Sequence, residues 1–166
     1  MLMKMEIFDD CLAPARFVFL TYNGKNPFGV CQKVSGMLQS FFDVSSSGTA
    51  ETDFRWDNTG PDDEFYHRWW VQKKFSGRTK MWVYIVVQGA KNRETNEGWF
   101  TMKINAQNET KVSSKNPMIR MLWWTYAYFF YNRRRSEYLR RCNELVYDFR
   151  DDIKEHFNLQ QQKAEG

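Results

Sequence analysis

Few residues of this 166-residue chain have the type and spacing that are typical of a catalytic site. The two histidines, His67 and His156, lie far apart, and no H-x-H or H-E-x-x-H motif is present to form a metal site. Asp53 and Asp57 flank Arg55 on one face of a predicted strand, about 13 Å apart at four steps of about 3.3 Å, too far for the carboxylate pair of a retaining glycosidase. If the protein is an enzyme, His67 with Asp53 or Asp57 is the acid–base pair that the sequence offers. We therefore expect no catalytic residues, no metal and no cofactor, and we favour a binding protein over an enzyme.

A second pattern alternates aromatic rings with cations along two predicted strands, 64–75 and 79–88. From Phe65 to Arg93 the chain has seven Lys or Arg residues and no acid. A loop of odd length, Ser76-Gly77-Arg78, pairs odd-numbered residues of one strand with odd-numbered residues of the other. The apolar side chains then lie on one face of the hairpin, and the rings that alternate with cations lie on the other face. That second face, the basic aromatic face, comprises Arg68, Trp70, Lys74, Lys80, Trp82 and Tyr84. Rings that stack on bases beside cations that meet phosphate are typical of single-stranded nucleic-acid binding; ion pairs with the acidic stretch 51–64 are the structural alternative.

The third pattern is an aromatic segment near the start of the last predicted helix. Twelve of the fourteen residues from Met118 to Tyr131 are apolar or aromatic. Such a segment is too short to span about 30 Å of hydrocarbon, but Trp, Tyr and flanking Arg are the residues that a segment at a membrane surface uses. The alternatives are a buried helix end, a lid over a cavity, or a contact in an oligomer. The residues that we assign to this membrane or lid segment are Trp123, Trp124, Tyr128, Phe129, Arg133, Arg134 and Arg135.

The cysteines predict the compartment. Cys11, Cys31 and Cys142 are odd in number and widely spaced, which favours free buried thiols in a reducing compartment over a disulfide framework or a zinc site. No secretion signal is recognised among the first residues. We therefore expect a cytoplasmic protein, one that can lie at the periphery of a membrane.

Composition and periodicity predict a single domain over residues 1–166, with flexible tails at 1–14 and 160–166. Apolar residues make up 42% and charged residues 27%, which is typical of a globular chain. A strand is predicted over 16–22, followed by a helix that begins at Asn26-Pro27 with Asn26 as its cap.

The middle of the chain predicts a β-meander. Period-2 alternation predicts strands over 52–57, 64–75 and 79–88, and then one long bent strand over 98–112, or two strands broken near Asn108. A stripe at steps of three and four from Tyr138 to Phe157 predicts a long C-terminal helix.

The resulting element order predicts an α+β fold, a curved antiparallel sheet wrapped around a long C-terminal helix. From about Ala15 to Leu159 this order resembles the helix-grip architecture of START and polyketide-cyclase-type domains. The stretches 26–30 and 53–57 also resemble an uncharacterised group of archaeal proteins, and that resemblance implies no function.

The helix-grip resemblance implies an apolar cavity between the sheet and the C-terminal helix, of the kind that holds a lipid or an aromatic molecule. The side chains expected to line it are Phe65, His67, Trp69, Val71, Met81, Val83, Ile85, Phe100, Met102 and Ile104. We therefore expect a non-catalytic protein that binds an apolar or amphipathic ligand and that can lie at the periphery of a membrane. The alternatives are a single-stranded nucleic-acid-binding module that uses the basic aromatic face, and an interaction subunit of an oligomer.

Overall fold

A six-stranded antiparallel sheet and a long C-terminal helix organise the chain. This computed structural model describes the backbone of residues 3–114, 116–126 and 132–165, and the side chains of 6–111, 116–119, 121, 122, 125 and 132–158. The strands are β1 (Met3–Asp10), β2 (Val18–Lys25), β3 (Thr49–Asp57), β4 (Asp62–Lys74), β5 (Thr79–Asn92) and β6 (Glu97–Ser114). The helices are α1 (Gly29–Phe42), α2 (Pro117–Tyr126) and α3 (Asn132–Glu165). The predicted α+β class is confirmed, with a curved, unclosed sheet packed against α3.

The strand β6 holds the sheet together because two other strands share its outer edge. The spatial order is β1-β6-β5-β4-β3, and β2 also pairs with β6. β2 pairs with residues 97–104 of β6 and β1 with residues 107–114, so the two short strands lie end to end. The backbone N–H of Cys11 donates to the Ala106 carbonyl at 3.1 Å and extends the pairing into the connection between them.

The hairpin between β4 and β5 has the predicted register. Phe75 N–H donates to the Thr79 carbonyl at 3.0 Å, which closes a loop of three residues, Ser76 to Arg78. Odd positions therefore pair with odd positions, as Trp69 does with Ile85. The prediction that burial selects the odd loop is confirmed.

The hydrophobic core lies between one face of the sheet and the helices α1 and α3. Apolar side chains recur at steps of three or four along both helices, so each helix presents one buried stripe to the sheet. The Phe157 ring of α3 lies 5.0 Å from the Phe100 ring of β6, and Phe149 lies 5.4 Å from Phe42 of α1. The buried stripes are Val30, Val34, Leu38 and Phe42 on α1, and Cys142, Val146, Phe149, Ile153 and Phe157 on α3.

The structure corrects three expectations about element boundaries. Residues 1–14 are not a flexible tail throughout, because β1 over Met3–Asp10 pairs with β6. The helix α1 begins at Gly29 rather than at Pro27, and Asn26 has a left-handed φ of 51° and does not cap it. The helix α3 continues through Glu165 into the predicted C-terminal tail. The strand β6 is continuous through Asn108, which agrees with the predicted alternative of one long strand.

The prediction of free buried thiols was wrong for two of the three cysteines and right for Cys31. Cys11 and Cys142 form a disulfide with Cα atoms 5.8 Å apart, and Cys31 is free and buried. The bond ties the β1–β2 connection to α3 across 131 positions of sequence. Free thiols were the basis for expecting a reducing compartment, and this pair removes that basis, since disulfides persist mainly where conditions are oxidising.

Candidate functional site

The ten predicted cavity residues all lie on the core face of the sheet. Each of them is buried, and His67 is the most exposed at 6%. Rings and alkyl groups from α1 and α3 reach these residues, as the Phe100–Phe157 contact does. A ligand in this space would have to displace side chains that pack against one another, so the apolar cavity stays a prediction.

Three pockets formed by described residues lie near the surface. One of about 500 Å³ lies beside the β4–β5 hairpin, one of about 290 Å³ borders Trp99, and one of about 190 Å³ lies at the β3–β4 turn. Of the ten predicted cavity residues, Phe65 alone lines one of these three. These three pockets are therefore distinct from the apolar cavity that the resemblance implies.

The structure brings the six residues of the basic aromatic face together on the side of the sheet that faces away from α1 and α3. Trp70 pairs with Tyr84, and Lys74 pairs with Lys80. The Trp82 ring lies 5.5 Å from the Trp70 ring and 6.3 Å from the Tyr84 ring, parallel to the latter. The three rings are half-buried by one another, and the cations stand at the ends of this aromatic row.

The sequence missed a second group of rings on the same face. Phe8 pairs with Glu109 and Phe19 with Lys103, so β1 and β2 add two aromatic side chains that are 55% and 56% exposed. The Lys103 Nζ atom lies 3.8 Å from the centre of the Phe17 ring. No local signal could reveal this extension, because it depends on pairing between strands about a hundred residues apart.

One acid of this face, Glu109, is held by neighbouring donors. Its carboxylate accepts from Trp82 Nε1 at 2.8 Å and lies 3.1 Å from Lys111 Nζ. Burial alone would raise the pKa of Glu109, but the bonds from Trp82 and Lys111 outweigh burial and leave this pKa below its usual value. The indole N–H of Trp82 is therefore committed to Glu109 and is not available to another acceptor.

The helix α2 carries the exposed apolar residues of the predicted membrane or lid segment. Its described apolar side chains are 54–74% exposed, and they are Met118, Ile119, Met121 and Leu122. The side chains of Trp123 and Trp124, and all of Tyr128 and Phe129, lie outside the described residues. No helix in the described ranges combines the length and the apolar character that crossing a bilayer requires.

The three arginines that follow have different environments. Arg133 and Arg134 are exposed. Arg135 donates from Nε and Nη2 to the two carboxylate oxygens of Asp9, at 3.1 and 2.6 Å. Arg135 therefore joins α3 to β1, which leaves Arg133 and Arg134 as the exposed cations of the segment.

His67 meets a different acid from the two that the sequence offered. Its Nε2 atom lies 3.3 Å from Glu51 Oε1, whereas Asp53 pairs with Arg68 on the other face. The cause is a β-bulge at Thr52, which puts Glu51 opposite Trp69 and so on the core face. The predicted His67–Asp53 or His67–Asp57 pair was wrong because His67 is the cross-strand partner of Phe54, which leaves Asp53 and Asp57 on the other face.

Glu51 also joins two other donors. Its carboxylate accepts from Ser35 Oγ at 3.0 Å and from Trp69 Nε1 at 3.3 Å. Because Ser35 donates to the acid rather than to His67, these groups do not form a nucleophile and its base. Burial, together with the Glu51 charge, raises the pKa of the nearby Cys31 thiol to about 12, which keeps it protonated. The cluster joins α1, β3 and β4, and nothing in its geometry activates a nucleophile.

The cluster of Glu51 with His67, Ser35 and Trp69 should make the free energy of unfolding depend on pH. Burial lowers the pKa of His67 from its usual value, although the Glu51 charge opposes the shift. As pH falls, His67 is therefore protonated in the unfolded chain before it is protonated in the folded chain. Burial would raise the pKa of Glu51, but its bonds outweigh burial and lower it, so its stabilisation is lost only at more acid pH. We expect the free energy of unfolding to fall as pH decreases from 7.5 to 5.5, by at most about 1.4 kcal/mol per pH unit for each proton.

Urea denaturation at several pH values measures this slope. His67→Gln should reduce it. His156 also has a pKa lowered by burial and by Lys33, and His156→Gln measures its share. A stability that does not change between pH 7.5 and 5.5, or an unreduced slope in His67→Gln, would contradict the assignment.

Among the described residues, no group of three or more His, Cys, Asp or Glu side chains could hold a metal ion.

No family model matches the chain, and no curated protein matches it. Among the solved structures that are similar to it are two proteins without an assigned function. A protein of unknown function from Staphylococcus aureus is 10% identical with a TM-score of 0.27, over 94% of this chain and 98% of that one. An uncharacterised protein from Rhizobium leguminosarum is 6% identical with a TM-score of 0.20, over 86% and 98%. At these TM-scores neither likeness carries an argument about fold or function.

Proposed function

We propose that the protein is a non-catalytic binding protein whose amphipathic ligand is an anionic membrane surface, and that α2 makes the contact. The observation that supports this proposal is the exposure of its four described apolar side chains, from Ile119 at 54% to Met118 at 74%. Burying a side chain of this size contributes about 1.5–3 kcal/mol, so leaving four of them in water is unfavourable unless a partner covers them. In this proposal the lipid therefore lies against the surface of α2 and not between the sheet and α3.

Charge and length agree with a membrane surface as the partner. The ten residues of α2 can lie in the interface but cannot cross it. Arg133 and Arg134 follow at the start of α3, and each cation near an anionic lipid surface contributes about 1 kcal/mol. The apolar side chains must therefore supply most of the binding free energy.

Sedimentation with vesicles tests this proposal. We expect the protein to sediment with phosphatidylcholine vesicles that contain phosphatidylserine, and Met121→Ser with Leu122→Ser to weaken binding at least tenfold, because two apolar contacts are lost. The matched control is Phe8→Ser with Phe19→Ser, which removes exposed apolar side chains from the sheet instead. That control should bind like the unchanged protein.

Two results would contradict the proposal. One is an absence of sedimentation with vesicles of any phosphatidylserine content. The other is equal binding by the α2 variant and the unchanged protein. Light scattering on the same samples distinguishes membrane binding from the alternative that α2 forms a contact in an oligomer. In that alternative the unchanged protein is a dimer, the α2 variant is a monomer, and neither binds vesicles.

Single-stranded nucleic-acid binding is the second candidate function, and the open aromatic row on the sheet favours it. Trp70, Trp82 and Tyr84 lie in contact on a face that neither α1 nor α3 covers, with Arg68 and Lys80 beside them. Stacking on aromatic side chains contributes about 1–3 kcal/mol per base, and contacts with phosphate make binding weaken as salt rises. This function requires salt-sensitive retention on immobilised single-stranded DNA that Trp70→Ala abolishes.

A further inference from the structure

The largest of the three described pockets lies where the β4–β5 hairpin meets the loop after α1. It has a volume of about 500 Å³, within the usual range for small-molecule sites. Lys73, Lys74 and Lys80 line its sheet side, and Ser45 and Ser47 line its loop side. A lining of three lysines and two serines forms a strongly polar site that favours an anion.

The positive charge of this pocket is poorly compensated. Lys74 and Lys80 are direct partners across the hairpin, and like charges at such positions destabilise a sheet. No ion pair within 4.0 Å among the described residues includes Lys73, Lys74 or Lys80. Asp43 is the one acid that lines the pocket.

The nearest acid on the sheet is already occupied. Glu109 is the β6 partner of Lys80, but its carboxylate bonds to Trp82 and Lys111 instead. Lys80 therefore acts on Glu109 through space, as one of two charges that lower the pKa of Glu109, and not through a close ion pair.

Three side chains are held in place at the pocket. Lys73 Nζ donates to the Phe42 carbonyl at 2.7 Å, which fixes its ammonium at the end of α1 and leaves two of its three donors for other partners. Ser45 Oγ and Ser47 Oγ lie 2.9 Å apart in a hydrogen bond, so the loop presents both hydroxyls together. The donors are therefore partly preorganised before any ligand arrives.

We propose that this pocket binds a phosphate-bearing small molecule or headgroup with at least two negative charges. Lysine is a common point-charge partner of phosphate, and serine hydroxyls donate to phosphate oxygens. The charge of the ligand would relieve the repulsion between Lys74 and Lys80. This inference does not depend on α2 and stands whether or not α2 binds a membrane.

Isothermal titration of the full chain with inorganic tripolyphosphate at 0.15 M salt tests the proposal. We expect saturable binding with one site, weakened at least tenfold by Lys74→Ala with Lys80→Ala. The control, Lys103→Ala with Lys154→Ala, removes the same charge elsewhere and should leave the affinity unchanged. Lys73 is not substituted because it also bonds to the end of α1.

Vesicles of phosphatidylcholine with phosphatidylinositol bisphosphate distinguish the two sources of phosphate. Binding to these vesicles that tripolyphosphate displaces and the pocket variant loses identifies a lipid headgroup as the ligand. Tripolyphosphate binding without vesicle binding identifies a soluble phosphate compound. The proposal is overturned by an absence of saturable tripolyphosphate binding, or by equal loss of affinity in the pocket variant and the control.

Discussion

Breaking the bond between Cys11 and Cys142 should lower the free energy of unfolding by up to about 5 kcal/mol. The bond closes a loop of 131 positions, and in the chain-entropy account a loop of that length restricts the unfolded chain strongly. Other contacts join the same two segments, such as the bond that Asn143 Nδ2 donates to the Cys11 carbonyl at 3.0 Å. We therefore expect Cys11→Ser with Cys142→Ser to fold but to unfold at lower urea concentration.

Urea denaturation with and without a phosphine reductant measures this effect. The reductant should destabilise the unchanged protein and leave the double variant unaffected. Cys31→Ala is the matched control, because it removes the free thiol and keeps the cross-link. Equal stability of the oxidised and reduced protein would contradict the expected role of the bond.

Trp69→Ala should destabilise the protein by about 3–5 kcal/mol, because it removes the largest fully buried side chain of the sheet. The ring stacks on His67 with centres 3.8 Å apart, and its indole N–H donates to Ser35 and Glu51. The substitution therefore leaves a cavity and also removes a donor that connects α1, β3 and β4. Trp69→Phe keeps most of the ring and should cost about 1–2 kcal/mol through the lost N–H.

The matched control for Trp69 is Trp70, the next residue on the same strand. Its ring lies on the opposite, open face and is half-buried, so Trp70→Ala should cost about 1 kcal/mol. Chemical denaturation of the two alanine variants gives the comparison. If Trp70→Ala were as destabilising as Trp69→Ala, the assignment of the core to the α1 and α3 side of the sheet would be wrong.

Those parts of the fold that depend on local periodicity were predictable from the sequence. The odd β4–β5 loop followed from the need to bury Trp69, Val71, Val83 and Ile85 on one face, and the register confirms it. The stripe on α3 followed from steps of three and four, and its members from Cys142 to Phe157 are buried. Both signals lie within a few turns or one hairpin, where each residue constrains its neighbours.

Features that depend on distant pairing or on a single inserted residue were not predictable. The bulge at Thr52 moves Glu51 to the core face, and alternation alone assigns Glu51 to the other face. The pairing of β1 with β6 and the Cys11–Cys142 bond join residues about a hundred positions or more apart. The pocket of three lysines forms only when the loop after α1 packs beside the β4–β5 hairpin, and neither segment indicates it alone.

The double pairing of β6 has a consequence for how a nascent chain acquires its structure. Strands β3 to β6 form successive hairpins that can assemble as they emerge during synthesis, whereas β1 and β2 have no partner until β6 has left the ribosome. Residues 3–25 must therefore wait for roughly ninety residues of translation, at about 5–20 residues per second. During those seconds their backbone donors and acceptors are available to chaperones or to other chains.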